Sequence, residues 1–174
     1  MSSPGADRIR WAVARLAVTP EDRLFEIGCG TGLAMALICQ RLGNGCITGI
    51  DRSATAVAAA RRRLANHLQD GRARLTNVAL ADFTTSDGGF DKVFAINVNV
   101  FWRSPARELR VVRDVLSPRG RLYLFFEPPS QRQVARILSA CTAFLQVEGY
   151  NVAEVVRREP RSKPGLGIIA VASG

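Results

Sequence analysis

The sequence predicts an α/β fold: a seven-stranded, mostly parallel sheet with helices on both faces and a C-terminal antiparallel β-hairpin. Three observations carry that expectation. Short apolar runs alternate with stretches whose apolar residues recur at helical spacing, the pattern of parallel strands joined by right-handed helical crossovers. Polar residues stand at or just past the ends of those runs, namely Asp51, Asp82, Asn97 and Glu127. The last two apolar runs, 151–159 and 165–173, are separated by a short connection containing Pro and Gly, which predicts a hairpin.

Each element follows from local chemistry. Ile9, Val13, Leu16 and Ala17 share one helical face over residues 6–17, and Thr19-Pro20-Glu21-Asp22 ends that pattern. "RLFEIG" reads as a buried strand, and a helix over 34–42 stops at Gly43-Asn44-Gly45. "CITGID" is the second strand. Ser53 has the chemistry of an N-cap for a long helix over 54–69, stopped by Asp70-Gly71. "ARLTNVAL" is the third strand and, after the turn "SDGG", "FDKVFAIN" the fourth. Leu109, Val112 and Leu116 mark one face of a helix over 105–116, which Ser117-Pro118-Arg119-Gly120 terminates. "RLYLFF" is the fifth strand, and a helix over 131–143 follows the Pro128-Pro129 break. Repeats and low-complexity stretches are lacking, so residues 1–174 read as one domain.

Composition narrows the function classes. At 174 residues and 47% apolar, the chain can bury a core of its own. It holds no apolar run of the roughly 20 residues that a bilayer requires. Asp7, Arg8, Arg10 and Arg15 interrupt the N-terminal stretch where a secretory signal needs apolar residues, so a cytoplasmic location without a membrane partner is expected. Cys29, Cys39, Cys46 and Cys141 lack metal-ligand spacing, and His67 is the only histidine; no metal site is expected. The net charge of +9 permits an anionic partner, but the basic residues are scattered apart from Arg61-Arg62-Arg63, which fits a solvated helix face.

The chemistry concentrates in "FEIGCGTG". Gly28 and Gly30 match the start of a dinucleotide-binding turn, G-x-G-x-x-G, but the third glycine position holds Leu33 and the last glycine, Gly32, comes one residue early. Glu26 stands just before the turn, where a carboxylate would repel a pyrophosphate. A cationic, phosphate-free nucleoside fits better. S-adenosylmethionine has that character, with a sulfonium and an ammonium beside ribose and adenine. Glu26 would supply a favourable field to the cationic end. Asp51, closing the second strand, has the acceptors for both ribose hydroxyls, and Asp82, past the third, could receive the adenine amino group.

"FEIGCGTG", followed by "GID", "LAD" and "FDKVFAIN", resembles the class I S-adenosylmethionine-dependent methyltransferases, which have a Rossmann-like sheet, and the resemblance runs from about residue 6 to 173. It implies cofactor-binding roles for Glu26, Gly28, Gly30 and Gly32 at the methionine part and for Asp51 with Arg52 at the ribose. Asp82 and the Phe83 backbone N–H would meet adenine, and Asn97 would lie beside the methionine group. The products would be S-adenosylhomocysteine and a methylated acceptor. The N-terminal helix, 6–17, would fold over the cofactor or else serve as core.

The acceptor is expected to be a small molecule. The Asn/Asp-Pro-Pro-aromatic motif of amide- and adenine-methylating relatives is missing after the fourth strand, where Asn97-Val98-Asn99-Val100 stands. No cysteine lies at that strand end to act as the nucleophile of pyrimidine C5 methylation. Asn99, Trp102 and Glu127 are candidate acceptor contacts, Glu127 and Asn99 are the catalytic candidates, and Glu127 is the candidate general base. Asn97 and Asn99, in an apolar run, are expected to be buried amides needing partners. Methylation of nucleic acid, an NAD(P)-dependent oxidoreductase, a non-catalytic cofactor-binding partner and a homo-oligomer remain the alternatives at this point.

Overall fold

The computed structural model describes residues 4–86, 89–158 and 163–173. Seven strands form one sheet in the order β3-β2-β1-β4-β5-β7-β6: β1 (Arg23–Ile27), β2 (Cys46–Asp51), β3 (Ala73–Asn77), β4 (Phe90–Ile96), β5 (Leu116–Phe126), β6 (Tyr150–Arg158) and β7 (Gly165–Ala172). β1 to β5 pair in parallel, while β7 runs antiparallel to both β5 and β6. The expected fold is the observed one. The chain order reverses at β1, so β1 and β4 part the crossovers to opposite faces and open a crevice at their carboxyl ends.

Both sheet faces are covered, which is why the central strands read as continuous apolar runs. Leu24, Ile47, Phe94 and Phe125 point to the layer formed by α1 (Pro4–Arg15), α2 (Leu33–Cys39) and α3 (Ala54–Arg63). Their neighbours Phe25, Val93 and Leu124 point to the opposite layer, with α5 (Ala106–Val115) and α6 (Gln131–Val147). The apolar stripe of α1 is therefore core: Ala12, Val13 and Leu16 are fully buried against α2.

Several boundaries differ from expectation for identifiable reasons. The helix expected over 54–69 breaks at Leu64, which is wholly buried, and resumes as α4 (Ala65–Gln69). Ser53 does cap α3, its Oγ accepting from Ala56 N at 3.2 Å. β3 stops at Asn77, and the chain turns through a 3-10 segment, Leu80–Asp82. Residues 117–120, expected as a loop, belong to β5, whose pairing with β7 begins only at Leu122. Pro118 is tolerated there because that edge needs no donor. α6 continues to Val147 because Val134, Ile137, Cys141 and Leu145 prolong its buried stripe. Asp87 and Gly88 of the expected turn, and 159–162 of the hairpin, lie outside the described residues. No helix of the described residues is long and apolar enough to cross a membrane.

Lys92 is the anomaly in β4, a lysine in a central strand. Its Nζ ion-pairs with Asp22 and donates to Ala17 O at 3.0 Å, while Asp22 also accepts from Thr19 N at 2.7 Å. Lys92 thus anchors the α1–β1 connection at the amino edge of the sheet. Because Asp22 is only 8% exposed, Lys92→Met should strand a carboxylate and lower the unfolding free energy by about 3 kcal/mol in urea titrations. The double variant Lys92→Met/Asp22→Leu should recover most of that loss; an unchanged midpoint for Lys92→Met would contradict this account.

Candidate cofactor site

The glycine turn leaves β1 and enters α2 in a tight coil. Gly28, Gly30 and Gly32 all have positive φ, at 72°, 53° and 76°. At Gly28 a side chain would also lie 2.8 Å from Val98 Cγ2, and at Gly32 one would press on Ala60 and Leu64 of the α3–α4 layer. Gly28 N and Cys29 N both donate to Ile50 O at 2.9 Å, fastening the turn to the end of β2.

Asp51 completes the fastening. Its Oδ2 accepts from Gly30 N and its Oδ1 from Ser53 N, each at 2.9 Å, so one carboxylate braces the turn and the entry to α3. Arg63 adds a second brace from the end of α3, donating to Thr31 O at 2.6 Å and Thr31 Oγ1 at 2.8 Å. Arg61 donates to Leu75 O at 3.1 Å. All three members of the arginine run are exposed, as a solvated helix face requires, and two of them also brace the neighbouring turn and strand.

Beside this turn lies a cavity of about 650 Å³. Gly28, Asp51 and Arg52 form one wall, residues 78–81 a second, and residues 96–100 with Arg103, Ser104 and Glu108 a third. Of the residues singled out in the sequence, Gly28, Asp51, Arg52, Asn97 and Asn99 come together here. Gly30 and Gly32 support the turn from behind. Val78 to Leu80, expected as the end of the third strand, instead form the second wall with Ala81, and Arg103, Ser104 and Glu108 had no signal in the sequence.

Other expected residues stand elsewhere. Asp82 does not line the cavity; its carboxylate is 64% exposed and pairs with Arg107 at 2.9 Å. The Phe83 N–H already donates to Leu80 O at 3.1 Å, and its ring stacks on Phe25 in the core at 4.7 Å. Asn97 and Asn99 are exposed, not buried. Asn97 takes a left-handed conformation, φ 57°, and its Oδ1 accepts from Glu127 N at 2.8 Å, tying the ends of β4 and β5. Asn99 Oδ1 accepts from Trp102 Nε1 at 3.1 Å, and Trp102 lies outside the cavity. Glu127 is engaged by Arg8 at 3.3 Å and by Arg158, so its oxygens hold α1 and β6 to the end of β5 instead of facing the cavity. Among the described residues, α1 contributes none to the cavity wall.

Glu26 is the chemically distinctive residue. It is 3% exposed, its Oε2 has no hydrogen-bond partner, and its carboxyl receives the Met35 N–H in the first turn of α2. Burial, then the nearby Asp51 carboxylate, push its pKa well above the usual value of 4.5. Burial first, then Glu26 and Asp51, push the Cys29 thiol up to about 12, so it remains an unreactive thiol. This orphaned acid oxygen fits a group that brings positive charge, and not a pyrophosphate.

The chain belongs to the class I S-adenosylmethionine-dependent methyltransferases: the methyltransferase domain family matches residues 25–122. S-adenosylmethionine is the cofactor of that family. The chain is similar to the uncharacterized methyltransferase YdaC of Bacillus subtilis (strain 168), 24% identical over 119 residues, covering 68% of this chain and 64% of that protein. In structure it is similar to a SAM-dependent methyltransferase from Aquifex aeolicus, with a TM-score of 0.79 at 17% identity, covering 97% of this chain and 93% of the other. Magnesium protoporphyrin IX methyltransferase from Synechocystis PCC 6803, with bound SAM, aligns with a TM-score of 0.70 at 22% identity, covering 97% and 78%. The chain spans between 30% and 64% of the length of the curated relatives it matches.

The raised pKa of Glu26 sets a pH dependence. Between the unfolded value near 4.5 and the higher folded value, the folded state binds more protons than the unfolded state. Stability of the ligand-free protein should therefore fall as pH rises through that interval. Glu26→Gln keeps the shape and removes the titration, so its melting temperature should overtake that of the wild type toward alkaline pH. Parallel melting curves against pH for the two proteins would contradict the assignment.

Proposed function

We propose that this chain is a single domain, residues 1–174, that catalyses S-adenosylmethionine-dependent methyl transfer to a small-molecule acceptor. The observation that carries the reading is the junction of the glycine turn, Asp51 and the orphaned Glu26 carboxyl beside a cavity at the carboxyl ends of β1, β2 and β4. When bound, the cofactor supplies a methyl group on a sulfonium whose departure as a neutral thioether needs no further activation.

The protein's own contribution is binding and alignment. Gly28 allows the backbone of the turn to approach the ligand. The lone pairs of Asp51 not used by Gly30 and Ser53 would accept from the ribose hydroxyls. Glu26 favours the cationic end through its field, and a positive ligand in turn favours its ionised form. Asn97, held by Phe125 O and Glu127 N, keeps the strand end rigid where the reacting atoms would meet. Residues Val78 to Ala81 form the wall against which an adenine would pack. With Glu127 engaged in ion pairs, alignment and exclusion of water carry the reaction.

A small acceptor is supported by two features. The basic residues are scattered along the chain apart from Arg61, Arg62 and Arg63, so they form no continuous track for a nucleic-acid backbone. One of the similar structures is a methyltransferase of magnesium protoporphyrin IX, a small molecule.

Calorimetry with the full chain tests the reading directly. S-adenosylmethionine and S-adenosylhomocysteine should both bind, and Asp51→Ala should weaken each at least about tenfold, the loss of charge-assisted hydrogen bonds. Binding of neither by folded protein, or preferential binding of NAD(P), would overturn it.

A further inference from the structure

After β4 the chain makes a 3-10 turn, Asn99–Trp102, and α6 packs against that turn. Cys141 Sγ lies 3.4 Å from Phe101 O across the contact. Between turn and helix is a hollow of about 630 Å³, lined by Trp102, Arg103, Arg136, Ala140 and Phe144. Arg136, Ala140 and Phe144 recur every four residues, so they form one face of α6. The hollow has an apolar floor of partly buried Trp102, Ala140 and Phe144, and a rim of two arginines.

Two guanidinium groups converge on one indole ring. Arg103 and Arg136 set their guanidinium carbons 5.1 Å and 5.8 Å from the Trp102 ring centroid. Neither forms an ion pair with an acid among the described residues. A guanidinium held over an indole keeps its N–H edge free to donate, and that edge matches a carboxylate or phosphate. Arg103 also lines the 650 Å³ cavity, so the hollow and the cofactor cavity share a wall.

We propose that this hollow seats the methyl acceptor, and that the acceptor is an anion with an apolar body: Arg103 and Arg136 hold its carboxylate or phosphate while Trp102 and Phe144 cover its apolar part. The proposal rests on the methyltransferase reading above and adds the substrate class. An apolar body is needed because a bare anion would leave Phe144 and Ala140 uncovered. The net charge of +9 would draw such an anion toward the site.

The test uses a matched pair, 2-naphthoate and 2-naphthylmethanol, which share an apolar body and differ in charge. The chain has two tryptophans, so its ¹H–¹⁵N spectrum holds two indole signals, assigned with Trp11→Phe. Naphthoate should shift the Trp102 signal saturably and leave that of Trp11 in place, binding at least about tenfold more tightly than the alcohol. The double variant Arg103→Gln/Arg136→Gln, both at exposed positions, should bind the two ligands equally. Equal affinities in the wild type, a motionless Trp102 signal, or a preference retained by the double variant would overturn the proposal. So would a Trp102 shift produced by oligouridine and not by naphthoate, which would point to nucleic acid. Calorimetry with S-adenosylmethionine on the same samples separates the two levels. Cofactor binding without naphthoate binding removes the hollow alone; naphthoate binding without cofactor binding removes its role as an acceptor site.

Discussion

Asp51 holds together the three parts on which the site depends. Its two oxygens accept from Gly30 N and Ser53 N, so the glycine turn and the start of α3 share one carboxylate. The turn itself hangs from the Ile50 carbonyl, one residue earlier on the same strand. The end of β2 is consequently the fixed point, and the cavity wall is built outward from it. The same charge acts through space on Glu26 and Cys29, raising the pKa of both beyond what burial alone does.

That arrangement leaves stored electrostatic cost in the ligand-free protein. Glu26 is buried beside another acid, with one oxygen unpartnered and only the Met35 N–H in compensation. Buried acids are rarely kept in this state for stability, because an unpartnered charge in a core costs free energy. The partner of Glu26 across the β1–β4 ladder is Phe94. Burial raises the Glu26 pKa, so a bound proton relieves that cost. A positively charged ligand would favour the ionised form instead, which links the anomaly in β1 to the methyltransferase family of the chain.

Ion pairs elsewhere take over residues that sequence reasoning reserves for chemistry. Glu127 follows a strand end, the position of a catalytic candidate, yet Arg8 and Arg158 reach it from 119 residues upstream and 31 downstream. Asp82 meets Arg107 in the same way. A chain with an excess of arginine finds partners for its carboxylates, part-buried like Glu127 or exposed like Asp82, wherever the fold brings them close, and nothing local foretells those pairings.

The strand–helix alternation, the glycine turn with its early third glycine, Glu26 before it and Asp51 after β2 were all legible, because each rests on contacts within a few residues or on strict periodicity. Those features determined the fold class and the phosphate-free character of the ligand. The break at Leu64, the length of β5 and the exposure of Asn97 and Asn99 were not legible, since each depends on what packs alongside. The tertiary structure alone decided which loop residues face the cavity, which acids were consumed by arginines, and that Arg103 and Arg136 converge on Trp102. Their separation of 33 residues along the chain is closed only when α6 docks against the turn after β4.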